Sequence, residues 1–200
     1  MRIRWIVLGT AWCAIQAGAS NAADFTMVAC TRQITSDYYD NFDPSRSWAH
    51  TFRDETVLGA TTLHGYFGGV NSTATTNDFI SVGFHSTMST YHPYPSPFYV
   101  QESDYPSTVA TFDVTGTGGS AVADCGLVSM SLSRISPDPR SWQIPVNQIT
   151  TLTGLDPGRY LVRFDSFPDL TGSATLYLPS PGATATLALC GGLLAARRRR

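Results

Sequence analysis

Apolar side chains at every second position constrain this chain more than any other feature. Val128, Met130 and Leu132 alternate with Ser129, Ser131 and Ser133, and Ile80, Val82 and Phe84 alternate with Ser81, Gly83 and His85. Ala110, Phe112 and Val114 form a third such run, and Tyr160, Val162 and Phe164 a fourth. Successive side chains of a strand point to opposite faces, so this pattern puts one face in a core and the other in water. No stretch between residues 23 and 178 keeps the helical period over a useful length. Segments 25–30, 61–67, 97–101, 143–149 and 174–178 are weaker strand candidates, rich in threonine, valine and aromatics between Gly- and Pro-containing breaks. About eight or nine short strands predict an all-β chain folded as a single antiparallel β-sandwich. Residues 36–48 and 90–106, the second with four prolines, read as loops at its ends or edges.

The sharpest local signal is Leu155-Asp-Pro157-Gly158-Arg-Tyr160. Pro157 presets its own φ and Gly158 tolerates a positive one, so the segment turns tightly into a strand starting at Arg159. It is similar to the Leu-x-Pro-Gly-x-Tyr corner of fibronectin type III and related immunoglobulin-like domains, a phrase that also occurs in jelly rolls. The resemblance implies a buried Tyr160 whose hydroxyl returns to an upstream backbone group, with Arg159 facing water. It further implies a final hairpin of 159–167 and 173–178. Gly116-Thr-Gly118-Gly119 reads as a hairpin loop, lacking the strand-to-helix setting of a phosphate cradle.

Both ends of the chain read as addresses. Arg2 and Arg4 precede an apolar run from Trp5 to Ile15, and Ser20-Asn-Ala22 supplies small residues before a cleavage point, so residues 1–22 predict a secretory signal helix. Cleavage is expected after Ala22, with Ala23 as the alternative. Trp12 is too large for the small-residue box that would make Cys13 a lipid attachment site. At the other end, residues 179–182 form a polar break with two prolines, 183–196 are small and apolar, and Arg197, Arg198, Arg199 and Arg200 close the chain. Fourteen residues make a helix of roughly 21 Å, short of the ~30 Å hydrocarbon core, so insertion is marginal. Arginines kept in the cytoplasm leave everything before Pro179 outside. This arrangement resembles the PEP-CTERM sorting signal of bacterial surface and secreted proteins. Pro179 and Pro181 match its prolines, 183–196 its helix and Arg197 to Arg200 its basic cluster, while Ser180 stands where the family usually has glutamate. The resemblance implies recognition by an exosortase-type membrane enzyme, removal of the helix and delivery to the envelope or extracellular polymer.

Residues 23–178 remain as one domain. All fifteen Asp and Glu fall there against seven of the thirteen arginines, with no lysine, so the domain carries −8 although the whole chain carries −2. That balance repels phosphate backbones and anionic headgroups, which excludes nucleic acid as an expected partner and confines membrane contact to the terminal helices. Two cysteines remain in the domain, Cys30 and Cys125. In an oxidising compartment they are expected to form a disulfide, and two thiols are too few for a structural zinc site.

Catalytic patterns are missing. His50, His64, His85 and His92 have no metal-ligand spacing, and there is no nucleophile elbow, P-loop or dinucleotide fingerprint, so no cofactor is expected. Asp37, Asp40 and Asp43 crowd hard oxygen ligands into one segment, a calcium candidate set against a solvated acidic loop. Tyr91, Tyr94, Tyr99 and Tyr105 lie in or beside an aromatic, proline-rich segment whose flat faces suit stacking on sugar rings. The expected function is that of an exported, non-enzymatic structural or adhesive component of the cell surface or extracellular matrix. The alternative is a carbohydrate-binding module of the same matrix. A third class, a secreted hydrolase, needs carboxylates such as Glu55 and Glu102 facing one cleft.

Overall fold

The computed structural model describes residues 23–67, 70–92, 98–166 and 169–178. The signal segment, Tyr94, Pro179 and everything beyond it lie outside these residues, and no helix among the described ones is long and apolar enough to cross a membrane. The strands are β1 (Asp24–Asp40), β2 (Trp48–Asp54), β3 (Gly59–His64), β4 (Val70–Thr75), β5 (Phe79–His85), β6 (Met88–Tyr91) and β7 (Val100–Thr115). They continue with β8 (Gly119–Cys125), β9 (Ser129–Ser136), β10 (Arg140–Ile144), β11 (Gln148–Leu155), β12 (Gly158–Asp165) and β13 (Thr171–Tyr177). One sheet runs β10-β9-β12-β7-β1-β2, with β6 also on β7; the other runs β11-β8-β13-β5-β4-β3. All pairings are antiparallel. The sheets meet in matching order, β1 against β4, β7 against β5 and β2 against β3, in a β-sandwich-like arrangement.

The alternation runs carry the core. Ile80, Val82, Phe84, Ala110, Phe112, Val114, Met130, Leu132, Val162 and Phe164 are all buried, and their polar sequence neighbours face outward or lie part-way. Fully burying a side chain of this size stabilises by about 1.5–3 kcal/mol, so these inward faces set the register of every central strand. Tyr160 is 1% exposed and stacks on Phe112 at 5.5 Å, and its hydroxyl donates to the Asp156 carbonyl at 2.9 Å. Arg159 points the other way and binds the Asp113 carboxylate with two nitrogens at 2.7 and 2.9 Å. The corner read from the sequence is therefore formed. Gly158 is required by close approach: a Cβ there would collide with the Ser136 carbonyl.

Several expectations need correction. The segment 36–48 is not one loop, because β1 runs on to Asp40 and only a short 3₁₀ turn at Pro44–Arg46 separates it from β2. Likewise β7 begins at Val100 and passes through Pro106. Pro106 sits in a gap on one side of β7, between the β6 pairing, which ends at Ser103, and the β12 pairing, which begins at Ser107, so its missing N–H interrupts no ladder. Residues 143–149 are the end of one strand and the start of another, β10 and β11, which lie in different sheets. Neither β7–β8 nor β12–β13 is a hairpin; each pair crosses between the sheets, and Gly116 and Gly118, at φ 75° and 73°, make the first crossing.

The expected disulfide is absent, and the topology explains why. Cys30 and Cys125 are buried free thiols. Cys30 lies on β1, fifth in its sheet, whereas Cys125 ends β8, second in the facing one. Three strand spacings of ~4.8 Å separate them laterally by roughly 14 Å, twice the reach of a disulfide.

The described chain enters and leaves at one end. Ala23 and Leu155 both close on Gly119, Met27 donates to Asn77 Oδ1 at 3.0 Å, and Leu178 donates to the Asp78 carbonyl at 2.7 Å. The opposite end, where β1 finishes and β6 and β7 meet, is reached by the 17 residues of β1. At ~3.3 Å per residue it stands roughly 50 Å away.

Tyr160→Phe keeps the ring packing and strands the Asp156 carbonyl, so denaturant unfolding is expected to show a loss of about 0.5–1.5 kcal/mol with an unchanged m-value. Burial pushes both thiols up, with the Asp124 charge adding to the effect at Cys125, which reaches about 11. Alkylation at pH 8 is expected to leave the folded protein unmodified and to label two thiols once the domain is unfolded without reductant; a mature protein that yields none carries the bridge after all.

Candidate functional site

At the far end β7 continues beyond the last residue it pairs with β12, Ser107, through residues 100–106, so β1, β2, β6 and β7 project as a ledge past the rest of the sandwich. The interior changes character there. Arg32, Ser36, Asp40, Thr73, Thr75, Ser103, Asp104 and Thr108 are buried where aliphatic residues fill the other half. Arg32 is 0% exposed and donates to Asp54 Oδ2 at 3.1 Å, to Thr75 Oγ1 at 3.0 Å and to the Thr56 carbonyl. Burial works against ionisation of Asp54. Hydrogen bonds from the Thr56 backbone and hydroxyl and from Thr61, with the Arg32 charge, outweigh it and hold the carboxyl below its ordinary value.

Deeper in the ledge the Ser36 hydroxyl donates to the fully buried Asp104 carboxylate and accepts from the Tyr66 N–H at 3.0 Å. Gly65 passes so close to Asp104 that any side chain there would strike the carboxylate. These contacts pin the turn after β3 and bring Tyr66 and Phe67 over the inward face of β2. Trp48 is stacked between Tyr38 and Phe67, each ring centroid 5.7 Å away, and Tyr66 meets Trp48, His50 and Phe52 edge-on at 5.3, 5.5 and 5.1 Å. This inner group closes the open end of the sandwich.

A second aromatic group faces outward. Tyr39, the next residue along β1, lies on the opposite face and meets Tyr99 at 5.7 Å, which in turn meets His92 at 5.5 Å. Tyr99 is placed by its carbonyl, which accepts from Asn41 N–H at 2.9 Å. Phe42 meets Phe98 at 5.0 Å just beyond the end of β1. Tyr91 is opposite Val100, which is itself opposite Asp40, so it takes the Tyr38 face of the sheet and not that of Tyr39. Tyr39, Phe42, Phe98 and Tyr91 are 42%, 48%, 44% and 67% exposed. The bend that carries Phe42 is built by carboxylates. Asp40 Oδ1 accepts from the N–H groups of Phe42 and Asp43, at 2.9 and 3.1 Å, and Asp43 caps the 3₁₀ turn through the Ser45 N–H at 3.1 Å.

Asp40 and Asp43 thus serve the backbone, and the calcium candidate does not assemble. Asp37 and Asp40 are three positions apart on one strand and so point to opposite faces, and no cluster of three metal-ligating side chains occurs among the described residues. Of the four tyrosines read as stacking residues, Tyr99 belongs to the outward group, Tyr91 lies on the other face of the sheet, and Tyr94 lies outside the described residues. Tyr105 does not join that group: it pairs with Thr35, four β1 positions from Tyr39, roughly 13 Å away. Tyr39, Phe42, His92 and Phe98 are the members that sequence reasoning left out. His92 and Phe98 stand in the same proline-rich segment, while Tyr39 and Phe42 sit in the Asp-Tyr-Tyr-Asp-Asn-Phe-Asp run more than fifty residues earlier.

Glu55 and Glu102 do not share a cleft. Glu55 follows the residue paired with Arg32 and binds Arg53 at 2.6 Å, whereas Glu102 pairs with Tyr38. Six β1 residues place them roughly 20 Å apart, beyond the ~5–9.5 Å of a glycosidase pair. An open depression of about 370 Å³ near the termini is lined by Asp113, Val114, Thr115, Ser136, Gly158 and Arg159, and its two charged groups are spent on each other.

The site and fold define an all-β arrangement of two antiparallel sheets with a ring-lined end opposite Ala23 and Leu178. No family model matches the chain, and neither the curated proteins nor the solved structures contain a significant match to it.

Asp37 Oδ1 is buried without a hydrogen-bond partner among the described residues, and burial, with the Asp104 charge, raises its carboxyl. A raised folded value means that ionisation costs stability: the penalty is absent below the unfolded value of about 3.9 and develops as pH rises through the folded one. Asp37→Asn is therefore expected to stabilise the domain by about 0.2–1 kcal/mol at pH 7, after solvent screening, and to have no effect near pH 3. Unfolding curves at the two pH values check this; an equal gain at both would mean the charge is not the cause.

Proposed function

We propose that the chain is an exported component of the cell surface or extracellular matrix, with a sandwich that works as a structural or adhesive module and carries out no catalysis. Signal peptidase releases it after Ala22, and an exosortase-type enzyme reads Pro179-Ser180-Pro181 and removes residues beyond. Until that step the helix at 183–196 anchors it, with Arg197 to Arg200 in the cytoplasm. Within the sandwich class, the Tyr160 corner supports a Greek-key domain of the immunoglobulin-like or jelly-roll kind.

The observation that carries this reading is the disposition of the two ends of the described chain. A domain held to a membrane through its last strand is best built with its entry and exit together and its exposed side chains at the far end, and Ala23, Leu178 and the aromatic ledge have that relation. Ala23 is buried against Gly119, which favours cleavage that leaves this residue in place. Free Cys30 and Cys125 are compatible with an oxidising compartment because each is sealed in the core and cannot reach a partner.

Intact-mass measurement of the protein recovered from the cell surface or medium tests the proposal. The expected species begins at Ala23 and ends before the apolar segment 183–196. Extracellular material that still starts at Met1 or still carries Arg197 to Arg200 would overturn it.

A further inference from the structure

The outward aromatic group has a ligand chemistry of its own. We propose that the end of the sandwich remote from Ala23 and Leu178 binds a neutral polysaccharide, with Tyr39, Phe42, Phe98 and Tyr99 as the stacking surfaces. The proposal rests on the surface-protein reading only for where the polymer would be met.

Three observations select this occupant. The exposed apolar side chains gathered here are mainly rings, whereas Val28, Leu58, Leu127, Ile135, Val146 and Ile149 are scattered elsewhere. The C–H faces of a pyranose pack on an electron-rich aromatic face. Next, a group suited to sugar hydroxyls stands beside the rings: the Gln101 amide, directly opposite Tyr39 on the same face, with its Nε2 donating to Ser103 Oγ at 3.1 Å. Finally, the charge is one-sided. Asp37, Asp40, Asp43 and Glu102 surround the ledge, and the nearest arginine, Arg46, is turned to Asp40 at 3.7 Å. That field, on a domain of net −8, repels uronate- or sulfate-bearing chains and leaves neutral ones unopposed.

Two tilted ring pairs, Tyr39 with Tyr99 and Phe42 with Phe98, are held by backbone contacts on opposite sides of Asn41, so the ledge is shaped before any ligand arrives. A preformed surface loses little conformational freedom on binding. Each ring is then expected to contribute about three- to tenfold in affinity.

Affinity electrophoresis of the purified full-length chain tests this, in native gels that hold hydroxyethyl cellulose, mixed-linkage glucan, galactomannan or dextran, with alginate and polygalacturonate as anionic counterparts. Retardation by at least one neutral polymer is expected, weakened about three- to tenfold in apparent Kd by Tyr39→Ala and by Tyr99→Ala. Phe42→Ala serves as an independent variant should either fail to fold, and Tyr105→Ala and Ile149→Ala should leave retardation unchanged. The proposal is overturned if no neutral polymer retards the chain, if only anionic ones do, or if the ring variants bind as the parent does. It is equally overturned if those variants alter only sedimentation with protein concentration, which would make the ledge a contact between copies. Processing of the termini is read separately by mass, so a correctly exported chain that binds no glycan fails here alone.

Discussion

A guanidinium with no access to water organises the half of this sandwich that differs from an ordinary aliphatic core. Arg32 comes from the middle of β1, and its partners come from β2, from the turn that follows it and from β4 in the facing sheet. A charge taken out of water is tolerated only where carboxylate and carbonyl groups replace its hydration. The edges of the two sheets are therefore tied at this point by a polar clamp. Thr75 extends it by donating to the Val57 carbonyl at 2.6 Å, which fixes the connection that turns from one sheet into the other.

Beyond that clamp the interior stays polar, and the ledge depends on it. Ser36 and Asp104 face one another on β1 and β7 and seat the backbone of residues 65–66 in the space a larger side chain would need. The turn so held delivers Tyr66 and Phe67 to Trp48, and the aromatic stack replaces the aliphatic closure found elsewhere. Tyr38 and Tyr39 then divide the work by strand geometry alone. One ring faces in and completes the stack, and its neighbour faces out and joins Tyr99. Tyr39 is exposed because it lies on the outer face of its sheet, away from the facing one.

How far this was legible in the sequence differs by element. The strands with one buried face, β5, β9, β12 and the second half of β7, show in the alternation because burial imposes it. Tyr160 and Arg159 were readable to the side chain, since Pro157 and Gly158 restrict the local backbone enough to fix the corner. The long continuations of β1 and β7 were not, because their inward residues include Ser36, Asp40 and Asp104, polar side chains whose partners the fold supplies yet which look like loop residues in a string. Edge strands β2 and β6 escaped for a related reason: with most residues exposed, they have no periodicity to display.

Local chemistry, then, determined the all-β class, the tyrosine corner and the acidic balance of residues 23–178, because each depends on composition or on residues close together in the chain. Partnership across the fold was decided only by tertiary structure. Which sheet a strand joins placed Cys30 three strands from Cys125 and sent β7 and β12 across the sandwich instead of into hairpins. The same pairing brought Tyr39 and Phe42 to Tyr99 and Phe98 across more than fifty residues and left Tyr105 behind. Strand order is set by how whole faces bury one another, and no window of sequence contains that information.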